Sequence, residues 1–377
     1  MIQFTSDQIP EGYFLSRSFP DLLFAPFYGE EVAHSYCRVQ LGVSLGEEVS
    51  SDERVVYDEG FFTSGGEVCI REVWRLLVGC FGAGTCLTVR VRIDASSYDS
   101  SHTVSLGHSD SGEWVSRVYR CGVYLGDWDV ASFHQDHFLT LLHGEKVTCL
   151  GIDESLYYRG DEPSGTVVAY YGDGGQERFV VAGHGVSSSD VSLKVLSVSA
   201  QSFVGGGGSV PVRYEVRCGG RYQAYAVVGD PADLRYRRFL FRNTFGVYET
   251  LFFTGRRTSK TSFVRHSFVG CGQLRGYGLE ESRSWECGSG VVGYGHGDWL
   301  LDFLRSEEII LLRDGSENGG GVVVLIQSEK AEWNDDDDTL LRVQFTYRSS
   351  VKDYVTLPEG YASGGGVFDD SFDDSFD

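Results

Sequence analysis

Three histidines lie close together in the sequence and are the first residues whose types and spacing could do chemistry. His134, His137 and His143 belong to one segment, and if residues 132–142 form a helix, the first two lie on neighbouring turns. Two imidazoles at that spacing could share a metal ion. The segment lacks the His-Glu-x-x-His pattern, so no general base occupies the position that such a site needs. We therefore interpret it as an amphipathic helix with surface imidazoles and Ser132 as its N-cap.

Other clusters of reactive residue types also have simpler interpretations. Residues 107–112 bring Ser, His and Asp together, but a catalytic triad needs side chains that converge from separate elements, so we predict a turn. The four aspartates 335–338 could chelate Ca²⁺, but consecutive side chains point in different directions, which favours a solvated turn. The glycine clusters 79–84, 270–272 and 293–297 do not match a phosphate-binding loop and indicate hairpin turns or close-packed backbone. We predict that the protein is not an enzyme and requires no cofactor or metal.

Phenylalanine recurs every four residues in the C-terminal segment 367–377. Phe368, Phe372 and Phe376 would lie on one face of a helix, and five aspartates surround them. A segment with this much negative charge should not form a compact structure by itself. We predict that these three phenylalanines are partner-binding anchors, which dock into a groove of another protein and become ordered on contact. The alternative is a tail that only keeps the chain soluble, and composition does not separate the two.

The elements that must position these residues are mostly strands. Apolar and polar residues alternate at 88–93, 210–216 and 341–347, a period typical of strands with one face on a core and one in water. The continuous apolar run 321–326 indicates a strand covered on both faces. Turns rich in Gly, Ser and Asp separate these segments. Short helices are predicted at 71–78, 132–142 and 298–304.

The fold class predicted from this pattern is mostly β, with two β-sandwich-like domains, a few short helices and a flexible acidic C-terminal tail. The stretch 182–190 has the composition of a linker or long loop, and we place the first boundary there. The predicted domains are residues 1–185 and 186–350, and residues 351–377 form the acidic Phe-Asp tail.

Composition excludes several classes of partner. The 377 residues carry a formal net charge of −22, which would repel a phosphate backbone, so we predict no nucleic-acid partner. No apolar run is long enough to span a bilayer, and we predict no membrane insertion. The chain begins without the charged and apolar regions of a secretory signal, and its nine cysteines contain no Cys-x-x-Cys pair. We therefore expect synthesis and first folding in a cytosol, with reduced thiols.

Several blocks of the sequence resemble a family of tail-associated virion structural proteins, encoded by phages and prophages of Bacteroides-type bacteria. The sharpest match is residues 239–255, which read FLFRNTFGVYETLFFTG. Asn and Gly tolerate positive φ, so Asn243–Gly246 predicts a tight hairpin, stabilised by aromatic residues paired across its strands. The other matching blocks are 21–25, 52–60, 66–72, 138–148, 156–158 and 297–306.

The resemblance covers nearly the whole chain and implies a virion building block of the phage tail or baseplate. Such a protein is made in the host cytoplasm, forms homo-oligomers in the particle and contacts other virion tail proteins. The family implies no active site. This chain departs from the family pattern in its many cysteines and glycines. The alternative is a receptor module of the tail tip that binds cell-surface glycan on Trp and Tyr platforms, and a carbohydrate-active enzyme ranks last.

Overall fold

The protein is mostly β, as the alternation of its residues predicts. Its 22 described strands form four sheets, and three α-helices accompany them. Within the described part of the chain, none of the helices has the length and apolar character needed to cross a bilayer. The computed structural model describes residues 3–4, 11–25, 34–63, 67–98, 105–126, 129–229, 237–290, 292–312, 321–332 and 342–350.

The N-terminal residues form a sandwich in which a three-stranded sheet covers a five-stranded one. Phe24 of the small sheet and Leu77 of α1 pack in one core with Val89, Val91 and Ile93 of the large sheet. The alternation predicted at 88–93 is thus confirmed. The elements are β1 (Gln3–Phe4), β2 (Gly12–Leu15), β3 (Leu22–Ala25), β4 (His34–Leu45), β5 (Arg54–Thr63), β6 (Val68–Ile70), α1 (Val73–Val78), β7 (Cys86–Tyr98) and β8 (Ser105–Tyr119), in sheets ordered β1-β3-β6 and β2-β8-β7-β4-β5.

The middle residues form a seven-stranded sheet that curls until its two edges meet. The strand order β10-β13-β12-β11-β14-β15-β9 places β9 and β10 at opposite edges. Yet Glu154 of β10 accepts hydrogen bonds from Lys146 Nζ at 2.7 Å and from Thr148 Oγ1 at 3.1 Å, both on β9. The elements are α2 (Val130–Asp136), β9 (Glu145–Cys149), β10 (Asp153–Arg159), β11 (Ser164–Tyr171), β12 (Gln176–Gly185), β13 (Leu193–Ser199), β14 (Pro211–Cys218) and β15 (Arg221–Val228).

The C-terminal sheet packs against α3 through a dense aromatic cluster. The ring of Phe303 on α3 lies 5.6 Å from that of Phe239 and 5.3 Å from those of Phe253 and Phe345, centroid to centroid. The elements are β16 (Arg237–Arg242), β17 (Tyr248–Phe253), β18 (Arg257–Gly270), β19 (Gln273–Gly288), α3 (Gly297–Arg305), β20 (Ile309–Leu312), β21 (Gly321–Glu332) and β22 (Arg342–Ser349), in the order β17-β16-β20-β21-β22-β19-β18.

The predicted boundary between residues 185 and 186 falls inside the middle sheet. It lies in the connection between β12 and β13, which are antiparallel neighbours with Gly185 opposite Lys194. Because strands on both sides of the boundary belong to one hydrogen-bonded sheet, the connection is a loop within that sheet. The described strands instead fall into three consecutive groups, at 3–119, 145–228 and 237–349. The tail 351–377 lies outside the described residues.

The same loop holds the N-terminal and middle groups together. Arg159 of β10 donates both terminal nitrogens to Asp190, at 2.6 and 2.7 Å, and Thr85 Oγ1 also donates to this carboxylate. Burial alone would raise the pKa of Asp190, but the bonds from Arg159 hold it below its usual value. A segment with the composition of a linker therefore contains a buried ion pair between two groups of strands.

Two other local predictions are wrong. The turn predicted at 107–112 is instead part of β8, which lies opposite β7 in an antiparallel pair. The helix predicted at 132–142 is shorter and begins earlier. It spans α2, and its N-cap is Asp129, whose carboxylate accepts from Ser132 N.

Candidate functional site

The most distinctive feature of the described chain is a two-stranded ribbon that projects from the C-terminal sheet. Strands β18 and β19 pair along their whole length, from Arg257 opposite Cys287 to Gly270 opposite Gln273. Among the pairs that the structure describes, only residues 285–288 of β19 also pair with β22. Residues 260–284, which we call the ribbon, therefore extend beyond the sheet by about 35 Å, at roughly 3.3 Å per residue.

The ribbon exposes apolar side chains on both of its faces. Residues that are two apart on a strand share a face, so Phe263 and Val269 lie on one face of β18 and Val264 and Phe268 on the other. Their exposed fractions range from 49% for Phe268 to 73% for Val269, and Leu274, opposite Val269, is 74% exposed. None of the described ribbon side chains is buried. A two-stranded hairpin without a covered face is marginally stable in water, so this geometry fits a contact surface.

The tip of the ribbon confirms the turn predicted at 270–272. Cys271 and Gly272 both have positive φ, 52° and 75°, as a two-residue type I′ hairpin turn requires. Such turns match the twist of the flanking strands, whose register shifts once, between His266 and Ser267. The ribbon also differs in charge from the chain as a whole: it contains four basic and two acidic side chains, a formal charge of +2.

The hairpin predicted at 243–246 is confirmed, but its loop works differently from the expectation. Only Gly246 has positive φ, at 82°. Asn243 is buried, and its Oδ1 accepts from the backbone N–H groups of Phe245 and Val247 at 3.0 and 3.2 Å. The expected aromatic pairs do not lie directly opposite each other, since Phe239 faces Leu251.

A buried carboxylate anchors this hairpin to the elements around it. Glu249 on β17 accepts from Trp299 Nε1 at 2.7 Å, from Thr140 Oγ1 at 2.9 Å and from Asn243 Nδ2. Burial raises the pKa of Glu249, although Lys146 and these three donors favour its ionised form. The Glu249 carboxylate therefore connects β17, α3 and the segment after α2, and it positions the loop at 243–247.

That loop forms one wall of a cavity of about 470 Å³ between the N-terminal and C-terminal groups of strands. Three guanidinium groups line it, those of Arg120, Arg242 and Arg305. Arg120 Nη1 and Arg242 Nη1 donate to the same acceptor, the carbonyl oxygen of Gly82, at 2.9 and 3.0 Å. Burial lowers the pKa of Arg120, and the like charge of Arg242 lowers it further. We call this space the arginine cavity.

The three histidines do not converge on one point. The imidazole of His134 packs edge-on against Tyr119, with ring centroids 4.9 Å apart, whereas His137 stacks on Phe133 at 5.2 Å. Burial, with the positive charges of Arg159 and Arg221, lowers the pKa of His134 to about 3. Because α2 ends at Asp136, His137 lies beyond the helix. Within the described residues, no three His, Cys, Asp or Glu side chains are arranged to hold a metal ion.

The remaining sequence predictions fall partly outside the described residues. Phe368, Phe372 and Phe376, predicted as partner-binding anchors, lie there, as do the aspartates 335–338. Gly295 is a close-packed backbone position, as predicted, because a Cβ there would lie too close to the carbonyl oxygen of His143. Sequence reasoning missed both the ribbon and the arginine cavity. The Gly-Cys-Gly turn indicates the hairpin, but Arg120 and Arg242 are far apart in sequence and carry no local signal.

Comparisons with known proteins leave the family open. No family model and no curated protein match the chain. Among solved structures it is similar to a segment of three immunoglobulin domains of titin, in an E-to-A mutated variant, at 8% sequence identity. The match covers 91% of this chain and 87% of the titin chain, with a TM-score of 0.16. At that score it carries no conclusion beyond what the sheets themselves show: a mostly β protein with sandwich-like packing.

Proposed function

We propose that this chain is a structural subunit of a phage virion, in the tail or baseplate, which assembles through its β surfaces and its C-terminal tail. The observation that carries the proposal is the ribbon. Its backbone leaves the sheet before residue 285, and within the described part of the chain no third strand pairs beside residues 260–284. Monomeric proteins cover or blunt such edges, whereas assembling proteins use them for contacts between subunits.

The partner that best fits the ribbon is a second copy of this chain. The ribbon carries a formal charge of +2 within a chain of net charge −22, so the rest of each copy offers an acidic surface to it. Complementary charge speeds encounter and sets orientation, and the exposed apolar residues supply burial once contact forms. A homo-oligomer built this way weakens as salt screens the charges.

The virion assignment is supported by the sequence blocks that resemble phage tail proteins. In that setting the other contacts would be with neighbouring tail proteins, and Phe368, Phe372 and Phe376 remain the proposed anchors for one of them. A tail or baseplate subunit needs rigid β units and many weak, repeated surfaces, and it needs no active site.

The experiment that tests the ribbon contact measures association of the purified full chain. Val269 and Leu274 are replaced together by Thr, which keeps strand propensity and removes apolar surface. Each buried aliphatic side chain is worth about 1.5–3 kcal/mol, so the double variant should dissociate at least about 100-fold more readily in sedimentation equilibrium.

The matched control is Val180→Thr. Val180 lies on β12, away from the ribbon, and is 74% exposed, so its loss should leave association unchanged. If the native chain is monomeric at all concentrations, or if the double variant associates like the native chain, the ribbon is not the contact. Mass spectrometry and cryo-imaging of purified phage particles then test the virion assignment separately, by asking whether and where the chain is present.

A second candidate function, a glycan-binding module, has one observation in its favour. A cavity of about 410 Å³ beside β2 is lined by Tyr13, Glu47, Glu48 and Arg117. Tyr13 is 54% exposed, and its hydroxyl accepts from Arg117 Nη1 at 2.9 Å. An aromatic ring with carboxylates beside it offers the stacking and hydrogen bonds that a sugar uses. A glycan array probed with the native chain and with Tyr13→Ala tests this, and equal signals from the two would remove the candidate.

A further inference from the structure

The arginine cavity contains a hydrogen-bond donor group that no described residue satisfies. Arg242 donates Nε to the carbonyl oxygen of Gly246 at 3.1 Å and Nη1 to that of Gly82. Its third nitrogen, Nη2, is buried and has no hydrogen-bond partner in the described chain. A buried guanidinium nitrogen without an acceptor is costly, because it has lost water and gained nothing in return.

Arg120, the second arginine, shares this shortage of hydrogen-bond acceptors. Arg120 and Arg242 are near enough to depress the pKa of Arg120, and they share one neutral acceptor. Three carboxylates also line the cavity, and the first of them, Asp302, accepts from the backbone N–H of Thr244. Glu307 acts on Arg120 through its charge, and Glu308 is hydrogen-bonded to the hydroxyl of Tyr248. Among the described residues, none of these three carboxylates forms an ion pair with Arg120 or Arg242, so an oxygen acceptor from outside can bind between the two arginines.

We propose that this cavity is an oxyanion-binding site, in which Arg120 and Arg242 hold a carboxylate or phosphate group. An oxyanion between the guanidinium groups of Arg120 and Arg242 would accept hydrogen bonds from them and neutralise the repulsion between the two. Arginine presents its donors in a planar fork that matches the oxygens of carboxylates and phosphates. The cavity volume of about 470 Å³ accommodates such a group together with several atoms attached to it.

Two sources could supply this oxyanion: a free anion, or the aspartates of the chain's own C-terminal segment. The second source is within reach. Phe241, Ile309, Val324 and Ser349 are register partners across four neighbouring strands, so Ser349 lies about 14 Å from Phe241, which precedes Arg242. The Phe-Asp segment begins 17 residues after Ser350, and an extended chain of that length spans up to about 55 Å.

The test measures binding of inorganic phosphate to full-length proteins by isothermal titration calorimetry at constant ionic strength. The variants are Arg242→Gln and Arg120→Gln, and the matched control is Arg178→Gln, an exposed arginine on β12. Arg120→Gln is the safer of the two cavity variants, because the Arg242 side chain also bonds the carbonyl oxygen of Gly246. A further full-length variant replaces all five tail aspartates by Asn: Asp369, Asp370, Asp373, Asp374 and Asp377.

Each outcome decides between the sources or overturns the site. If the native chain binds phosphate, and either cavity variant weakens binding at least about tenfold while Arg178→Gln does not, the site takes a free anion. If the native chain does not bind phosphate but the tail variant does, and the added change Arg120→Gln abolishes that binding, the tail carboxylates occupy the site. If neither the native chain nor the tail variant binds phosphate, or binding is insensitive to both arginines, the proposal is wrong.

Discussion

Asp302 is a buried carboxyl group that titrates near neutral pH, and its replacement by Asn gives a sharp test of the structure. It lies on α3, is 4% exposed, and accepts a hydrogen bond from the backbone N–H of Thr244 at 3.0 Å. Burial raises its pKa from 3.8 to about 7, with the negative charge of Glu249 acting in the same direction and Thr244 and Arg305 against it.

The direction and size of the pH effect follow from this raised pKa. The folded chain binds the Asp302 proton more tightly than the unfolded chain, so this contribution to stability is complete below about pH 4 and is lost as pH rises through 7. The full shift is worth about 4 kcal/mol, and about 3 kcal/mol of it disappears between pH 5 and pH 8. The amide in the Asp302→Asn variant carries no charge at either pH, and its oxygen can still accept from Thr244.

Urea unfolding of both proteins at pH 5 and pH 8 measures the difference. The native chain should lose about 3 kcal/mol more of its free energy of unfolding over this range than Asp302→Asn, since all other titrating groups are shared. Asp298→Asn is the control, because it removes an exposed carboxylate from the same helix. Identical pH dependence in the native chain and in Asp302→Asn would show that Asp302 is not buried as described.

Three further changes test other parts of the structure. Lys146→Met leaves Glu154 buried and unpaired, so it should lower the free energy of unfolding by about 3–5 kcal/mol in urea, and adding Glu154→Leu should recover most of that loss. In Gly246→Ala, the alanine must adopt positive φ, and its Cβ would lie 2.8 Å from Arg120 Cδ. The variant should therefore lower the free energy of unfolding by about 1–2 kcal/mol in the same assay and weaken any phosphate binding. Replacing the three tail phenylalanines by Ala should leave the melting temperature unchanged and reduce incorporation into particles. Normal incorporation of that variant would mean the tail only aids solubility.

The sequence was informative where structure depends on neighbours along the chain. The alternation at 88–93 predicted a strand with one buried face, and Gly272 and Gly246 marked turns that need positive φ. The helix prediction failed at 138–142, where the spacing of apolar residues is typical of a helix. Those residues instead enter two different cores. Phe138 packs in the core of the middle group, whereas Leu139, Leu141 and Leu142 pack in the core that contains Phe303.

Features that depend on distant pairing were not predictable from one sequence. In the middle sheet, β9 and β10 follow each other directly in the sequence, yet five other strands lie between them in the strand order. The ribbon is exposed because no third described strand pairs beside residues 260–284, which only the sheet order reveals. The arginine cavity likewise needs two chain segments that are more than 100 residues apart.

The loop between β12 and β13 has a consequence for proteolysis. Ser187, Ser188 and Ser189 are exposed, so a protease should cut here as readily as in a domain linker. The cut would not release two domains, however. Residues on both sides remain paired through β12 and β13, and Asp190 stays bound to Arg159 and Thr85 in the buried ion pair. A nicked molecule should therefore migrate as two fragments on a denaturing gel and as one particle in native chromatography.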